Sequence, residues 1–161
     1  MEQQFETISI RPNWRYFVLR VGWLVLLSLT LLFAGGMEGA QFQRLWFISS
    51  AVVGLFSLYE FIFLRMVRFM LTDEQLIVQK GVFRHTCDYL ELYRIVDFTE
   101  QQSLLLQMLG LKTVLIYSTD RTNPTIHIFG VCSNRELVSV IRQRVIYNRS
   151  IRNIHEFSNL I

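Results

Sequence analysis

The chain has 161 residues, of which 52% are apolar, 14% are aromatic and 18% are charged. Soluble domains carry roughly 25% charged residues, so this chain is too apolar for a fully soluble protein. Two cysteines, two prolines and a formal charge of +3 also exclude a disulfide scaffold, a collagen-like repeat and a disordered chain.

The charges are unevenly divided along the chain. Residues 1–64 contain four Arg and four Glu, whereas residues 65–161 contain the other 12 basic and 9 acidic residues. The first part is therefore membrane-like, and the second has the size and polarity of one small folded domain. Its mild basic excess does not predict a nucleic-acid partner.

Two long apolar runs in the first part predict a transmembrane helical hairpin over residues 17–65. The spans lie at about 17–37 and 45–64, and each is long enough to cross a hydrocarbon core of about 30 Å. Arg and Lys are denser outside the two spans than between them, which predicts that both termini are cytoplasmic. The expected localisation is therefore the inner cell membrane, with residues 1–16 as a cytoplasmic N-terminal segment.

Five residues of the hairpin have predicted roles in the membrane. Trp14, Trp23 and Trp46 are predicted interface anchors, because Trp is enriched where a bilayer meets water. Ser50 and Gly54 stand four residues apart on the second span and predict a surface on which another helix packs closely. That surface serves either the packing of the hairpin itself or self-association.

Glu60 is the one acid inside a predicted span. An ionisable group in hydrocarbon is costly and is a functional candidate by default. Because Glu60 lies about one turn from the end of its span, we expect a structural carboxylate that Arg65 or Arg68 neutralises. The alternative is a proton or ion relay.

Beyond Arg65 the pattern changes to short alternating runs that are typical of antiparallel strands. A capping-box spacing at residues 133–136 then predicts the start of a C-terminal amphipathic helix. The predicted strands are 68–71, 76–79, 82–90, 95–100, 111–117 and 125–129, and a short helix occupies 103–109.

Three segments in this order carry a family resemblance: residues 69–83, 92–97 and 102–114. They resemble the bacterial pleckstrin-homology-like membrane proteins of the YdbS/YdbT type. The resemblance implies an α+β membrane protein, in which a two-helix transmembrane hairpin precedes a pleckstrin-homology-like antiparallel β-barrel closed by a C-terminal α-helix. It implies a domain over residues 66–149. The residues that follow, 150–161, form a predicted apolar tail.

The resemblance implies a binding and assembly module without catalytic residues. Lipid-binding eukaryotic relatives hold inositol phosphates with a basic first hairpin, whereas we align that loop with Thr72–Gln75, which has two acids and no base. Phosphoinositide recognition is therefore not expected.

The sequence also lacks the usual catalytic patterns: a glycine-rich phosphate loop, a nucleophile elbow and paired carboxylates. We expect no enzyme activity, no cofactor and no small-molecule substrate. The histidines and cysteines at 85, 87, 127 and 132 do not have a recognised zinc-ligand spacing, so no metal site is predicted.

One of two binding hypotheses is a scaffold that contacts other protein subunits, in a homo-oligomer or in a larger membrane complex. Sheet edges and a groove beside the last helix are available for strand addition or helix docking. The tail residues Ile151, Ile154 and Phe157 are predicted partner contacts, unless they pack on their own barrel or lie on the bilayer.

The alternative hypothesis is contact with the anionic lipids of the cytoplasmic leaflet. Basic side chains near the end of the second span can each contribute about 1 kcal/mol at a charged membrane surface. The predicted headgroup contacts are Arg65, Arg68, Lys80 and Arg84. Because the spans already fix the domain at the membrane, these contacts would orient the domain.

Overall fold

The computed structural model describes residues 5–37 and 42–158, with side chains described as far as Arg152. The chain forms two compact units: a helical hairpin over Trp14–Met66, and a sheet domain built from the residues on either side of it. The α+β architecture is therefore confirmed.

The helical hairpin consists of α1 (Trp14–Gly36) and α2 (Gln43–Met66). Both helices are long and apolar enough to cross a membrane, and only 17% of the most apolar window of each is buried. Phe33 and Leu55 are 74% and 68% exposed. Helices buried in a soluble core would cover such side chains, so this surface fits a membrane-associated protein.

The sheet domain contains two antiparallel sheets and one long helix. The first sheet has the strand order β1 (Ile8–Ile10), β2 (Arg68–Leu71), β3 (Gln75–Lys80) and β4 (Thr86–Glu91). The second has the order β5 (Ile95–Gln101), β6 (Leu111–Ser118) and β7 (Thr125–Cys132). A 3₁₀ turn (Leu92–Arg94) precedes β5, α3 (Leu104–Met108) joins β5 to β6, and α4 (Leu137–Ser158) follows β7.

Alternating side chains of both sheets form the core with one face of α4. Phe69, Leu76 and Ile116 are at most 1% exposed, and Leu137 and Ile141 of α4 are buried with them. The predicted barrel is not closed, because the strands form two separate hydrogen-bonded sheets in the described residues.

The first strand corrects the sequence-based domain plan. Ile8 pairs with Leu71 and Ile10 pairs with Phe69, so residues predicted as a separate segment over 1–16 contribute β1 to the sheet domain. The helical hairpin is therefore inserted between the first two strands of the domain. The acidic loop Thr72–Gln75 lies at the second strand connection, and the first connection is the helical hairpin itself.

Four other boundaries differ from the sequence-based predictions. Helix α1 begins at Trp14 and not near residue 17. Residues 82–85 form a turn, and β4 begins only at Thr86. Helix α4 begins at Leu137 and continues through residue 150, where we predicted a separate tail. The predicted capping box is wrong, because α4 begins four residues after Ser133, whose hydroxyl accepts a hydrogen bond from Gln102 at 2.8 Å.

Arg144 is a buried cation that holds three chain segments together, whereas the sequence placed it only outside the apolar face of the last helix or near its C-terminus. Its guanidinium donates to the carbonyl oxygens of Leu71 at 3.0 Å, Thr72 at 2.8 Å and Glu6 at 2.6 Å. It also lies 5.1 Å from the centre of the Phe5 ring. Burial lowers the pKa of Arg144 from its ordinary value, which the nearby Asp73 carboxylate opposes.

Candidate functional site

The two ends of the sheet domain differ in their connections to the helical hairpin. The chain leaves the domain after Asn13, at the end of the β1 segment, and returns at Val67, just before β2. We call this end, where β1, β3, β5 and β7 finish, the junction end. The Asn13 amide donates to the Gly130 carbonyl at 2.9 Å, and the Asn13 side chain donates to the Cys132 sulfur at 3.3 Å, so both sheets meet there.

Three of the four predicted headgroup-contacting residues lie at the junction end. Arg68 opens β2 opposite Gln79, Lys80 closes β3 opposite Thr86, and Arg84 lies in the turn between β3 and β4. Arg68 and Arg84 are exposed. The Lys80 ammonium is 2.8 Å from the Asp88 carboxylate, which neutralises part of this basic cluster. Arg65, the fourth, is in the last turn of α2.

The turn between β3 and β4 carries a large apolar side chain outward. Gly81 starts the turn with a backbone φ of 120°, a conformation that residues other than glycine rarely adopt. Phe83 at the tip is 91% exposed, with the exposed Arg84 beside it. We did not identify Phe83 from the sequence, where it formed part of a predicted strand.

Helix α3 presents a second apolar surface at the same end. Its exposed fractions are 80% for Leu104, 60% for Leu105 and 84% for Met108. The Ser103 hydroxyl caps the helix by accepting from the Leu106 amide, and Gln102 donates to the Leu111 carbonyl at 3.0 Å. The sequence predicted this helix correctly but did not show that its leucines face outward.

The opposite end of the domain contains a polar cleft of about 230 Å³ between α4 and the edge of the first sheet. The Glu91 carboxylate lies 3.3 Å from Arg94 and 3.9 Å from Arg152. The Arg152 guanidinium stacks 3.7 Å from the centre of the Tyr93 ring. The cleft is lined by Glu74, Gln75, Glu91, Tyr93, Asn148, Ile151 and Arg152.

The charges around this cleft are largely paired with one another. Arg94 also contacts Asp120 at 3.0 Å, and its hydrogen bond with the Tyr93 hydroxyl raises the pKa of Arg94 from its ordinary value. Because residues of α4 line it, the cleft lies beside the last helix, where we predicted a groove. Of the predicted partner contacts, Ile151 lines it, whereas the side chains of Ile154 and Phe157 lie outside the described residues.

The predicted packing residues of α2 face α1 in the structure. The Ser50 hydroxyl donates to the Ser28 carbonyl at 2.9 Å, and the Ser28 hydroxyl donates to the Ser50 carbonyl at 3.1 Å. A Cβ atom added to Gly54 would lie 3.3 Å from the Ser28 hydroxyl. Of the two uses that we predicted for this surface, the described geometry is that of packing within the helical hairpin.

Glu60 also contacts α1, but its partner differs from the prediction. Its carboxylate lies 3.3 Å from Arg20, so the neutralising cation comes from the other helix and not from Arg65 or Arg68. Arg20 lies six residues after the start of α1 and Glu60 six residues before the end of α2, so their ion pair links the two helices at the same depth.

The three tryptophans occupy different depths along their helices. Trp14 is the first residue of α1 and Trp46 the fourth of α2, and both are partly exposed. Trp23 lies nine residues after Trp14, about 13 Å farther along the helix axis. Their role as interface anchors stays a prediction.

A family model described as a bacterial PH domain matches residues 16–145 of the chain. A search of curated proteins and a search of solved structures gave no match. The matched range begins two residues inside α1, includes α2 and all strands after it, and does not include β1.

Proposed function

Because the chain belongs to the bacterial PH domain family, we propose that this membrane-associated PH-like module is an anchored scaffold subunit. In this proposal the helical hairpin crosses the bilayer twice. The sheet domain lies on the cytoplasmic side and binds a protein partner, either a second copy of the chain or another subunit of a membrane complex.

The pairing of β1 with β2 supports the proposed topology. Ile10 precedes the helical hairpin and Phe69 follows it, yet the two residues are neighbours in one sheet. A chain that crosses a bilayer between two paired strands must cross it an even number of times. The Arg residues outside the two helices favour the cytoplasm for the sheet domain.

Site-directed cysteine labelling tests the topology. In a background with Cys87 and Cys132 replaced by Ser, a cysteine at Gly39 should react with a membrane-impermeant reagent in intact cells. A cysteine at Asp120 should react only after lysis. The reverse pattern would refute the orientation, and release of the protein by carbonate extraction would refute membrane insertion.

The observation that carries the scaffold proposal is the edge strand β4 beside the cleft. In the described sheet, β4 is hydrogen-bonded on one side, to β3, and Tyr89 on this strand is 59% exposed. An extended segment of a partner can add to such an edge through main-chain hydrogen bonds. The adjoining cleft, with Ile151 and the polar groups around Glu91, supplies room for its side chains.

Native mass spectrometry in mild detergent tests this proposal. We expect assemblies heavier than the 19.1 kDa chain, and we expect Tyr89→Lys to dissociate them, because an edge lysine opposes strand addition. His127→Lys, an exposed change on β7, is the matched control and should leave the assembly intact. A strictly monomeric protein without a copurifying partner would contradict the proposal.

The second candidate function is contact with anionic headgroups. It is favoured by the convergence of Arg68, Lys80 and Arg84 at the junction end. Replacing Arg68 and Arg84 by Gln should remove about 1 kcal/mol per charge at an anionic surface. In the unchanged protein, residues 81–85 should exchange their amide hydrogens more slowly in nanodiscs with anionic lipid than in nanodiscs without it. In the variant, this difference should disappear. An unchanged difference would exclude this contact.

A further inference from the structure

We propose that the junction end inserts apolar side chains into the interfacial layer of the bilayer, as an attachment additional to the two helices. The inserting groups are Phe83 in the turn between β3 and β4, and Leu104, Leu105 and Met108 on α3. We call these four residues the apolar tips. The inference rests on the proposed membrane anchoring by the helical hairpin.

The first argument is the placement of the apolar tips. Phe83 lies at the end of the first sheet and α3 at the end of the second, and both ends are the junction end. Asn13, the last residue before α1, contacts Gly130 and Cys132, and Cys132 pairs with Leu111, just after α3. The chain therefore enters the first apolar helix from the end that carries the tips.

The second argument is that α3 is held in place while its apolar tips face outward. Gln102 ties the start of the α3 segment to Leu111 and Ser133, and Gly110 ends the segment in a left-handed conformation with φ of 66°. Leu106 and Leu109 are partly buried, whereas Leu104 and Met108 are at least 80% exposed. Such an amphipathic element is suited to lie in a membrane interface.

The third argument is charge. Arg68 and Arg84 are exposed at the same end, where cations favour an anionic lipid surface. Glu100, the acid that precedes α3, is ion-paired with Lys112 at 2.8 Å. Exposed apolar side chains and exposed cations at the end from which the chain enters the hairpin fit a bilayer better than a second protein surface.

Fluorescence quenching in nanodiscs tests the insertion directly. The nanodiscs contain phosphatidylcholine and phosphatidylglycerol at about 3:1, a mixture with an anionic surface. A polarity-sensitive probe is attached to single cysteines at Phe83 and at Met108 of the full chain, with Cys87 and Cys132 replaced by Ser. Reference probes are placed at Leu26 in α1 and at Thr122 in the loop at the opposite end.

Insertion predicts that lipid-borne spin labels quench the probes at Phe83 and Met108. Iodide in the buffer should quench them at least about fivefold less than the probe at Thr122, because an interfacial site excludes a soluble anion. Combined Leu104→Asn and Leu105→Asn changes should restore much of the iodide quenching at Met108. Circular dichroism and labelling of Thr122 verify that this variant is folded.

The remaining outcomes separate the two proposals. If lipid-borne labels quench the probe at Leu26 but iodide quenches the probes at Phe83 and Met108, the apolar tips are not inserted, whereas anchoring by the helical hairpin still holds. If Leu26 is not quenched by lipid, the anchoring itself is wrong. If the probes at Phe83 and Met108 are shielded from both quenchers in a dimer-sized particle, a second copy covers the tips and the bilayer assignment is overturned.

Discussion

Arg144 offers the sharpest test of how β1 is kept in the sheet domain. Replacing it by Met keeps a long side chain but removes the guanidinium that donates to the Glu6 carbonyl and faces the Phe5 ring. The hydrogen bond to a charged donor contributes about 1.5–3 kcal/mol, and the cation–π contact about 0.5–1 kcal/mol. The free energy needed to detach β1 should therefore fall by about 2–4 kcal/mol.

Native-state hydrogen exchange measures this change in the full chain in detergent micelles. Because 1.4 kcal/mol corresponds to a factor of ten, the amides of Ile8–Ile10 should exchange about 30- to 700-fold faster in Arg144→Met. Exchange in β6, the central strand of the second sheet, provides an internal reference. In Arg144→Lys, the β1 amides should exchange at a rate between those of the wild type and Arg144→Met, because an ammonium cannot span several carbonyl oxygens as a guanidinium does.

The matched control is Arg135→Met, which removes an exposed arginine just before α4. This change should alter stability by no more than about 0.5 kcal/mol. If Arg144→Met folds and its β1 amides exchange at the wild-type rate, Arg144 does not hold the first strand, and the reasoning from the three carbonyl contacts fails.

Three further substitutions test the packing geometry. Ser50→Ala should destabilise the helical hairpin by about 0.5–1.5 kcal/mol, because it deletes the hydrogen bond to Ser28; tryptophan fluorescence during SDS unfolding measures this. By the same assay, Gly54→Leu should destabilise the helical hairpin by about 1–3 kcal/mol through overpacking against Ser28. Unchanged stability would show that Gly54 does not pack against α1. Gly81→Ala should lower the free energy of unfolding of the sheet domain, measured by thermal unfolding, by about 2–3 kcal/mol, since the added Cβ would overlap the Arg84 carbonyl. In the control Gly36→Ala, the added Cβ meets nothing within 4 Å, so the free energy of unfolding should change by no more than about 1 kcal/mol.

The sequence predicted those elements whose signal is local. The two apolar helices are visible as uninterrupted runs, and β2, β3, β6 and β7 begin within one residue of the predicted positions. The buried face of α4 follows from the spacing of Leu137, Ile141 and Val145. In each case the side chains of the element itself carry the pattern.

Features that depend on distant partners could not be predicted in this way. Strand β1 has only three residues, and its pairing partner lies beyond both helices. Arg144 resembles a solvated helix residue until the carbonyls of Leu71, Thr72 and Glu6 are placed around it. The sequence alone could not identify Arg20 as the partner of Glu60, because their contact depends on how the two helices align.

The candidate site shows the same division. The basic residues Arg68, Lys80 and Arg84 were found because they follow the second span closely in sequence. The exposure of Phe83 and Met108 was not predicted, because leucine, methionine and phenylalanine in short runs are usually buried. Only the turn at Gly81 and the orientation of α3 reveal that they point outward.

The interruption of the first sheet by the helical hairpin imposes an order on biosynthesis. Ile10 leaves the ribosome 59 residues before Phe69, its neighbour in the sheet. At translation rates of about 5–20 residues per second, β1 waits roughly 3–12 s for its partner. During that interval both apolar helices are synthesised. Strand β1 can therefore be paired only after both apolar helices have been synthesised, so a chain that stalls before Phe69 should be recognisable to proteases by its unpaired first strand.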